Sequence, residues 1–139
     1  MLRIAFTLLL AVAATTVHAA TATTGVAFVH GTGSQTDAYN DYWQPTMVNT
    51  VRQGLVNQAN YVVINCDFNQ YMWDSRAAGC LADQLTNFIN SRGITDLVVI
   101  THSNGGNVMR WIMGLGAGIG LGSGHLHDAS DADDASPHG

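Results

Sequence analysis

Residues 97–110 read LVVITHSNGGNVMR, in which four apolar residues meet a short polar turn and then a second apolar run. Val and Ile in the first run are typical of a strand that is buried on both faces. The second run suggests a helix that begins directly after the turn, with Val108, Met109, Trp111 and Ile112 as its apolar residues. The stretch therefore predicts a strand, a tight turn that contains Ser103, and a helix.

A serine on a sharp turn from strand to helix is typical of a nucleophile elbow, whose usual pattern is G-x-S-x-G. The pattern here is T-H-S-N-G, from Thr101 to Gly105. The residues two before and two after the serine crowd each other, so small side chains are favoured at both positions. Gly105 meets this requirement well and Thr101 meets it poorly. The amides at the start of the helix favour negative charge that develops near Ser103.

A second motif lies near the start of the chain, where residues 26–33 read VAFVHGTG. This is another buried-type strand, and it ends in His-Gly-x-Gly. With this loop, the Tyr-Trp pair at 42–43 and the turn at Ser103, the chain resembles the α/β-hydrolase family over about residues 24–112. Within that family it resembles secreted bacterial lipases and esterases.

The resemblance implies roles for several residues. Ser103 would be the catalytic nucleophile, and the backbone amides of Thr32 and Asn104 would form the oxyanion hole. Five further residues would shape the site without reacting: His30, Gly31, Gly33, His102 and Gly105. The substrate would be a small-molecule or lipid ester, with transient contact to a lipid interface, and no cofactor or metal is expected.

Alternating strands and helices predict an α/β fold with a parallel sheet. Strands are expected at about 25–30, 61–66 and 96–101. A helix starting at Pro45 is expected to end near 57–60, and its apolar residues are Met47, Val48, Val51, Leu55 and Val56. A second helix carries Leu81, Leu85, Phe88 and Ile89 on one face and is closed by Gly93. The prediction is a partial α/β-hydrolase fold: a parallel three-stranded sheet with flanking helices over 24–113.

The spatial order of the strands follows from the resemblance, which puts the first strand between the second and the third. The loop after the first strand and Ser103 would then emerge side by side at the carboxyl edge of the sheet. The third strand would have no further neighbour, which leaves an unpaired edge. The loop at 67–75 carries Phe68, Tyr71, Met72 and Trp73, which either line an acyl pocket or pack against the sheet.

The bulk composition narrows the class of protein. The chain has 139 residues, enough for one domain but short for this fold. Its net charge is −5, its basic residues are five arginines without lysine, and no basic stripe exists. Nucleic-acid binding is therefore disfavoured.

Residues 1–19 are predicted to be a signal peptide, because Arg3 is followed by an apolar segment and by Val17-His18-Ala19. The protein is thus expected to be secreted or periplasmic. An oxidising compartment would allow Cys66 and Cys80 to form a disulfide, while the alternative is two unrelated buried thiols.

Residues 114–139 differ from the rest of the chain, with glycine at every second position from 114 to 124 and an acidic, histidine-containing end. Three interpretations stay open: a flexible tail, a metal-binding tail, or a product of an interrupted reading frame, which is favoured. In this fold the triad acid and histidine follow the serine, and no scaffolded candidates follow Ser103. We therefore expect a secreted serine ester hydrolase with little activity. The alternative is a non-enzymatic hydrolase remnant or a binding module.

Overall fold

The computed structural model describes residues 20–114 and 125–128. In chain order its elements are strand β1 (Thr24–Val29), a π-helical turn (Tyr39–Trp43), helix α1 (Pro45–Arg52), strand β2 (Tyr61–Val63), a second π-helical turn (Ser75–Gly79), helix α2 (Cys80–Arg92), strand β3 (Asp96–Thr101), helix α3 (Asn104–Gly114) and strand β4 (His125–Asp128).

The four strands form one parallel sheet in the order β2-β1-β3-β4. The predicted parallel α/β architecture is confirmed, and so is the central position of β1 between β2 and β3. The register aligns Val29 with Thr101, so β1 and β3 end at the same edge of the sheet. This alignment brings the loop after β1 and the turn after β3 to one place.

Strand β4 is the main difference from the expected fold. Residues 125–128 pair in parallel with β3, so the sheet has four strands and not three. The outer edge of β3, which was expected to lack a neighbour, is therefore hydrogen-bonded along Asp96–Val99. Residues 125–128, which belong to the segment predicted as a tail, form this strand. The predictions for the rest of 115–139 concern residues outside the described ones, as does the predicted signal peptide at 1–19.

The sheet separates two apolar clusters of unequal size. The larger one lies on the face covered by α2 and α3, and it includes Leu81, Leu85, Val108, Met109 and Ile112. The smaller one lies on the face covered by α1 and the first π-helical turn, and it includes Val26, Phe28, Trp43 and Val48. On β3, Leu97 and Val99 are buried whereas Val98 and Ile100 are only half-buried. The expectation that this strand is buried on both faces is thus only partly met.

Helix α2 follows its sequence pattern closely. Leu81, Leu85 and Phe88 are buried on one face, and Gly93 ends the helix in the left-handed conformation with φ 62°. Helix α1 ends earlier than predicted, at Arg52. The N–H groups of Gly54 and Leu55 bond the carbonyls three residues back, which closes a turn there. Val56 is consequently exposed and does not belong to the helix face.

Strand β2 is also shorter than predicted, because the chain leaves the sheet after Ile64. The N–H of Ile64 still donates to the carbonyl of Phe28 at 2.9 Å. The next two N–H groups bond side chains, Asn65 to Gln84 and Cys66 to His30. After Ile64, the N–H groups of this segment are therefore bonded by side chains and not by a neighbouring strand. Among residues 20–114 and 125–128, no helix combines the length and apolar character needed to cross a membrane.

Candidate active site

Ser103 lies on the turn between β3 and α3, with an exposed side chain. Its φ is 53°, in the left-handed region that a residue other than glycine rarely adopts. Such a conformation costs about 1 to 3 kcal/mol and persists only when the surrounding structure holds it. Two backbone hydrogen bonds that span three residues close the turn. The N–H of Gly105 donates to the carbonyl of His102, and the N–H of Gly106 donates to that of Ser103. The hydroxyl is thus held on a strained turn at the carboxyl edge of the sheet.

The two glycines after Ser103 allow α3 to approach the sheet closely. A Cβ on Gly105 would overlap the carbonyl oxygen of His30 and lie 3.0 Å from that of Val29. A Cβ on Gly106 would lie 3.2 Å from Oγ1 of Thr101. The atoms nearest to a Cβ on Gly105 thus belong to the end of β1, and the atom nearest to a Cβ on Gly106 belongs to the Thr101 side chain. Gly105 is required by the end of β1, and Gly106 is the residue that accommodates the threonine.

The loop after β1 lies directly against Ser103. The N–H of His102 donates to the carbonyl of Val29 at 3.1 Å. A Cβ on Gly31 would lie 2.9 Å from Cβ of Ser103 and 3.1 Å from the carbonyl oxygen of His102. Only glycine fits between these groups. The His-Gly-x-Gly loop and the serine turn, 72 positions apart in the chain, are therefore in van der Waals contact.

The far end of this loop is held by the chain that follows β2. Gly33 has φ 134°, which favours glycine, and its carbonyl accepts a hydrogen bond from the N–H of Phe68 at 2.8 Å. Thr32 lies between the two glycines and is exposed. Its amide is one of the two predicted oxyanion donors, and the other belongs to Asn104, the first residue of α3. The first N–H groups of a helix lack intrahelical partners, so they are available to an anion.

His30 is fully buried beneath the loop, and both of its ring nitrogens have backbone partners. Nδ1 lies 2.8 Å from the carbonyl oxygen of Gly31 and must donate to it. Nε2 accepts the N–H of Cys66 at 3.2 Å. These partners require the neutral ring with its proton on Nδ1. Burial lowers the pKa of His30, although the bond to the Gly31 carbonyl acts in the opposite direction. His30 therefore supports the loop and has no free nitrogen for proton transfer.

A disulfide between Cys66 and Cys80 fixes the segment that holds His30. Cys66 follows β2 and provides the N–H for His30, whereas Cys80 is the first residue of α2. The Gln84 side chain bonds the carbonyl of Asn65 at 2.7 Å, next to the disulfide. The bridge therefore ties α2 to the backbone that orients the buried histidine.

Tyr42 is a residue to which the sequence analysis assigned no chemical role. Its hydroxyl shares a hydrogen bond with Nδ1 of His102. The same hydroxyl would meet a Cβ placed on Gly31. Tyr42 thus contacts both the loop after β1 and the residue that precedes Ser103. The sequence signal was the Tyr-Trp pair at 42–43, but its partner sixty residues later depends on the strand order.

Asn104 connects the serine turn to the loop after β2. Its side-chain amide donates to the carbonyls of Phe68 at 3.0 Å and Gln70 at 3.4 Å. Its carbonyl oxygen accepts from the side chain of Asn107 at 3.2 Å. The side chain of Asn104 is therefore structural, while its backbone N–H keeps the orientation set by the start of α3.

The apolar residues of the loop at 67–75 divide into two groups. Phe68 is buried with its ring centroid 4.4 Å from that of His30, and Met72 packs against the larger cluster. Tyr71 and Trp73 are 72 % and 55 % exposed and stack on each other with centroids 5.0 Å apart. The two alternatives from the sequence thus apply to different residues: Phe68 packs inside, Tyr71 and Trp73 border an open groove, and half-buried Met72 both packs against the larger cluster and lines the groove.

The groove has a volume of about 570 Å³ and extends from Asn104 to Tyr71 and Trp73. It begins one residue from Ser103, at the start of α3. Its lining includes the side chains of Asn69, Gln70 and Asn107. The groove is therefore adjacent to the serine turn.

The two histidines within residues 20–114 are His30 and His102, and neither is positioned as a base for Ser103 by its hydrogen bonds. His30 bonds the backbone, and His102 bonds Tyr42. The described part of the chain also contains no cluster of three or more histidine, cysteine or carboxylate side chains that could hold a metal ion. Among residues 20–114, the groups next to Ser103 are thus the backbone of the loop after β1 and the first residues of α3.

No protein-family model matches the chain, and no curated protein matches it. The chemistry assigned to this site therefore depends on the geometry described above and on the resemblance carried by its two motifs.

Proposed function

We propose that the chain is a serine hydrolase of the α/β-hydrolase class. More specifically, we propose a carboxylic ester hydrolase of the lipase and esterase kind, which acts by acyl transfer through Ser103. The observation that carries this proposal is the contact between Gly31 and Ser103, together with φ 53° at the serine. A strained serine beside a glycine-containing loop supports acyl transfer, because the developing oxyanion needs backbone donors near the nucleophile.

The reaction proposed for this geometry has two stages. Oγ of Ser103 bonds to the ester carbonyl carbon, its proton passes to a base, and the carbonyl oxygen becomes an oxyanion that the amides of Thr32 and Asn104 stabilise. The intermediate then collapses, the alcohol leaves with a proton, and water hydrolyses the acyl-enzyme. Each oxyanion donor is worth about 3 kcal/mol in such reactions.

The base is the component that the hydrogen bonds of His30 and His102, within residues 20–114, do not provide. A serine hydroxyl is a weak nucleophile without one, and both histidines in 20–114 are hydrogen-bonded to other groups. We therefore expect the 139-residue chain to hydrolyse a short p-nitrophenyl ester slowly or not at all. Added imidazole should accelerate reaction at Ser103, because it can accept the proton that a triad histidine would take.

The test is labelling of the full chain with a fluorophosphonate probe over a series of imidazole concentrations. Labelling that rises with imidazole, disappears in Ser103→Ala and persists in Ser91→Ala supports the proposal. Ser91 lies at the end of α2 and serves as the matched control. A folded chain that is not labelled at any imidazole concentration would overturn the proposal and favour the non-enzymatic alternative.

A binding module is the second candidate function, and the exposed stack of Tyr71 and Trp73 is the observation that favours it. Large aromatic rings on a surface often mark a place where a ligand is bound. The same groove could also serve an esterase, since it begins beside Ser103. Labelling of Ser103 separates the two candidates, because a binding module needs no activated serine.

A further inference from the structure

We infer that the groove beside Ser103 binds an uncharged sugar, so that the ester hydrolysed by this protein would carry a carbohydrate unit. The binding part of this inference depends on the groove alone. The assignment of the sugar to an ester substrate rests on the proposed function. The argument comes from the kinds of side chain that line the groove and from the groups they leave available.

The polar part of the lining consists entirely of carboxamides, from Asn69, Gln70, Asn104 and Asn107. A carboxamide both donates and accepts hydrogen bonds, as a sugar hydroxyl does. No charged side chain lines the groove within the described residues. A phosphate or carboxylate ligand would therefore find no cation there, whereas hydroxyl groups would find matching partners.

Two of these carboxamides have unused hydrogen-bonding groups that could bind a ligand. Asn107 is exposed and uses one N–H for Asn104, and its carbonyl oxygen has no partner among residues 20–114. The side-chain amide of Gln70 donates to the carboxylate of Asp67 at 2.7 Å, which orients it. The side-chain oxygen of Gln70 has no partner among residues 20–114. The carboxylate of Asp67 is thus bound by the side chain of Gln70. The acceptors left available suit hydroxyl donors.

The aromatic part of the lining is the stacked pair of Tyr71 and Trp73. The two rings make an angle of 5°, and the Trp73 centroid lies 6.0 Å from that of Trp111. Tyr71 is the more exposed of the pair, at 72 %. An aromatic face is electrically negative, so it attracts the C–H groups on the flat side of a sugar ring. A sugar therefore matches both parts of the lining.

A long acyl chain matches the groove less well. Met72 is the one aliphatic side chain in the described lining. An alkyl chain laid along the groove would cover four carboxamides without offering them a hydrogen bond, and burial of unpaired polar groups is unfavourable. The lining thus favours a ligand with hydroxyl groups over a lipid tail.

The experiment uses the full ¹⁵N-labelled chain, whose three tryptophans give three indole N–H signals in NMR spectra. Xylohexaose is titrated in one series and octanoate in another. With xylohexaose, the indole signal of Trp73 should shift in a saturable manner, while that of Trp43 should not move. Trp43 is buried in the smaller cluster on the other face of the sheet, and it serves as an internal control.

Variants identify the contacts. Tyr71→Ala and Asn107→Ala should each weaken xylohexaose binding by about tenfold, since each removes one interaction of about 1.4 kcal/mol. Val56→Ala removes an exposed apolar side chain outside the groove and should leave binding unchanged. A Trp73 shift with octanoate and not with xylohexaose would overturn the inference in favour of an acyl-chain pocket. No shift with either compound would also overturn it.

The result is separable from the test of the proposed function. Ser103→Ala should bind xylohexaose as the parent chain does, because the hydroxyl does not line the groove. Sugar binding without fluorophosphonate labelling would reject the hydrolase and keep the sugar site. Labelling without sugar binding would reject the sugar site and keep the hydrolase.

Discussion

The hydroxyl of Tyr42 and Nδ1 of His102 share a hydrogen bond across sixty positions of the chain. One partner belongs to the π-helical turn before α1, and the other directly precedes Ser103. The Tyr42 ring also lies 5.7 Å from that of His30, measured between centroids. A single phenol side chain thus contacts both segments that form the candidate active site.

We expect Tyr42→Phe to lower the free energy of unfolding by about 1 kcal/mol, which is typical for the loss of one hydrogen bond. Urea denaturation measures this change. The matched control is Tyr39→Phe, because the Tyr39 hydroxyl donates to Asn49 at a longer distance of 3.4 Å. If Tyr42→Phe costs no more than Tyr39→Phe, the bond to His102 does not stabilise the site.

We expect Gly105→Ala to destabilise the fold by about 3 kcal/mol, because its methyl group would overlap the carbonyl of His30 and the backbone there cannot move without disturbing β1. Gly114→Ala is the control in the same helix, since a Cβ there meets nothing within 4 Å. It should change the unfolding free energy by less than about 1 kcal/mol. Equal effects of the two substitutions in urea denaturation would contradict the close approach of α3 to β1.

We expect loss of the disulfide to destabilise the chain by about 3 kcal/mol, the value for a closed loop of this size in the chain-entropy model. The two cysteines are 14 positions apart. The double variant Cys66→Ser/Cys80→Ser and the reduced parent chain should show the same loss in urea denaturation. If reductant does not change the free energy of unfolding of the parent chain, the disulfide does not stabilise the fold.

Acidification should destabilise the fold through His30. The unfolded histidine takes up a proton near pH 6.5, whereas the pKa of buried His30 is lower. Between these two pKa values the unfolded chain binds more protons, so its population increases as the pH falls. The stabilisation is therefore fully present above pH 6.5 and declines below it.

The measurement is urea denaturation from pH 8 to pH 5 on the parent chain, His30→Gln and His102→Gln. The slope against pH should decrease in His30→Gln and persist in His102→Gln, whose ring is exposed. Since His30→Gln could fail to fold, NMR of the parent chain provides a second measurement. In the parent chain the His30 ring should keep the neutral form with the proton on Nδ1 below pH 6.5. Protonation of His30 at the pKa of an ordinary histidine would refute the prediction.

The strands and helices with strong apolar patterns could be predicted from sequence. β1, β3 and α2 each bury a continuous or periodic apolar face, and such patterns specify the element directly. Helix α1 was predicted too long, because Leu55 and Val56 continue the helical spacing although Gly54 lies within a turn. Spacing alone does not reveal where backbone N–H groups change partners.

The parts of the site that escaped prediction depend on contacts between distant segments. The motif pattern indicates small residues around the serine but not that the end of β1 lies nearest to Gly105 or that the Thr101 side chain lies nearest to Gly106. The bond from Tyr42 to His102 and the one from Cys66 to His30 follow from the strand order and from where each strand ends. Strand β4 was missed because a four-residue strand in a segment of histidine and aspartate has no apolar alternation to detect.

The unequal apolar clusters on the two faces of the sheet determine which face opens locally at lower free energy. Ser103 is anchored through α3 to the larger cluster, whereas Tyr42 packs against the smaller one. Regions with fewer buried contacts open at lower free energy. Amide protons of α1 should therefore exchange with deuterated solvent before those of α3. The hydrogen bond between Tyr42 and His102 should break in this local opening while the turn at Ser103 stays folded.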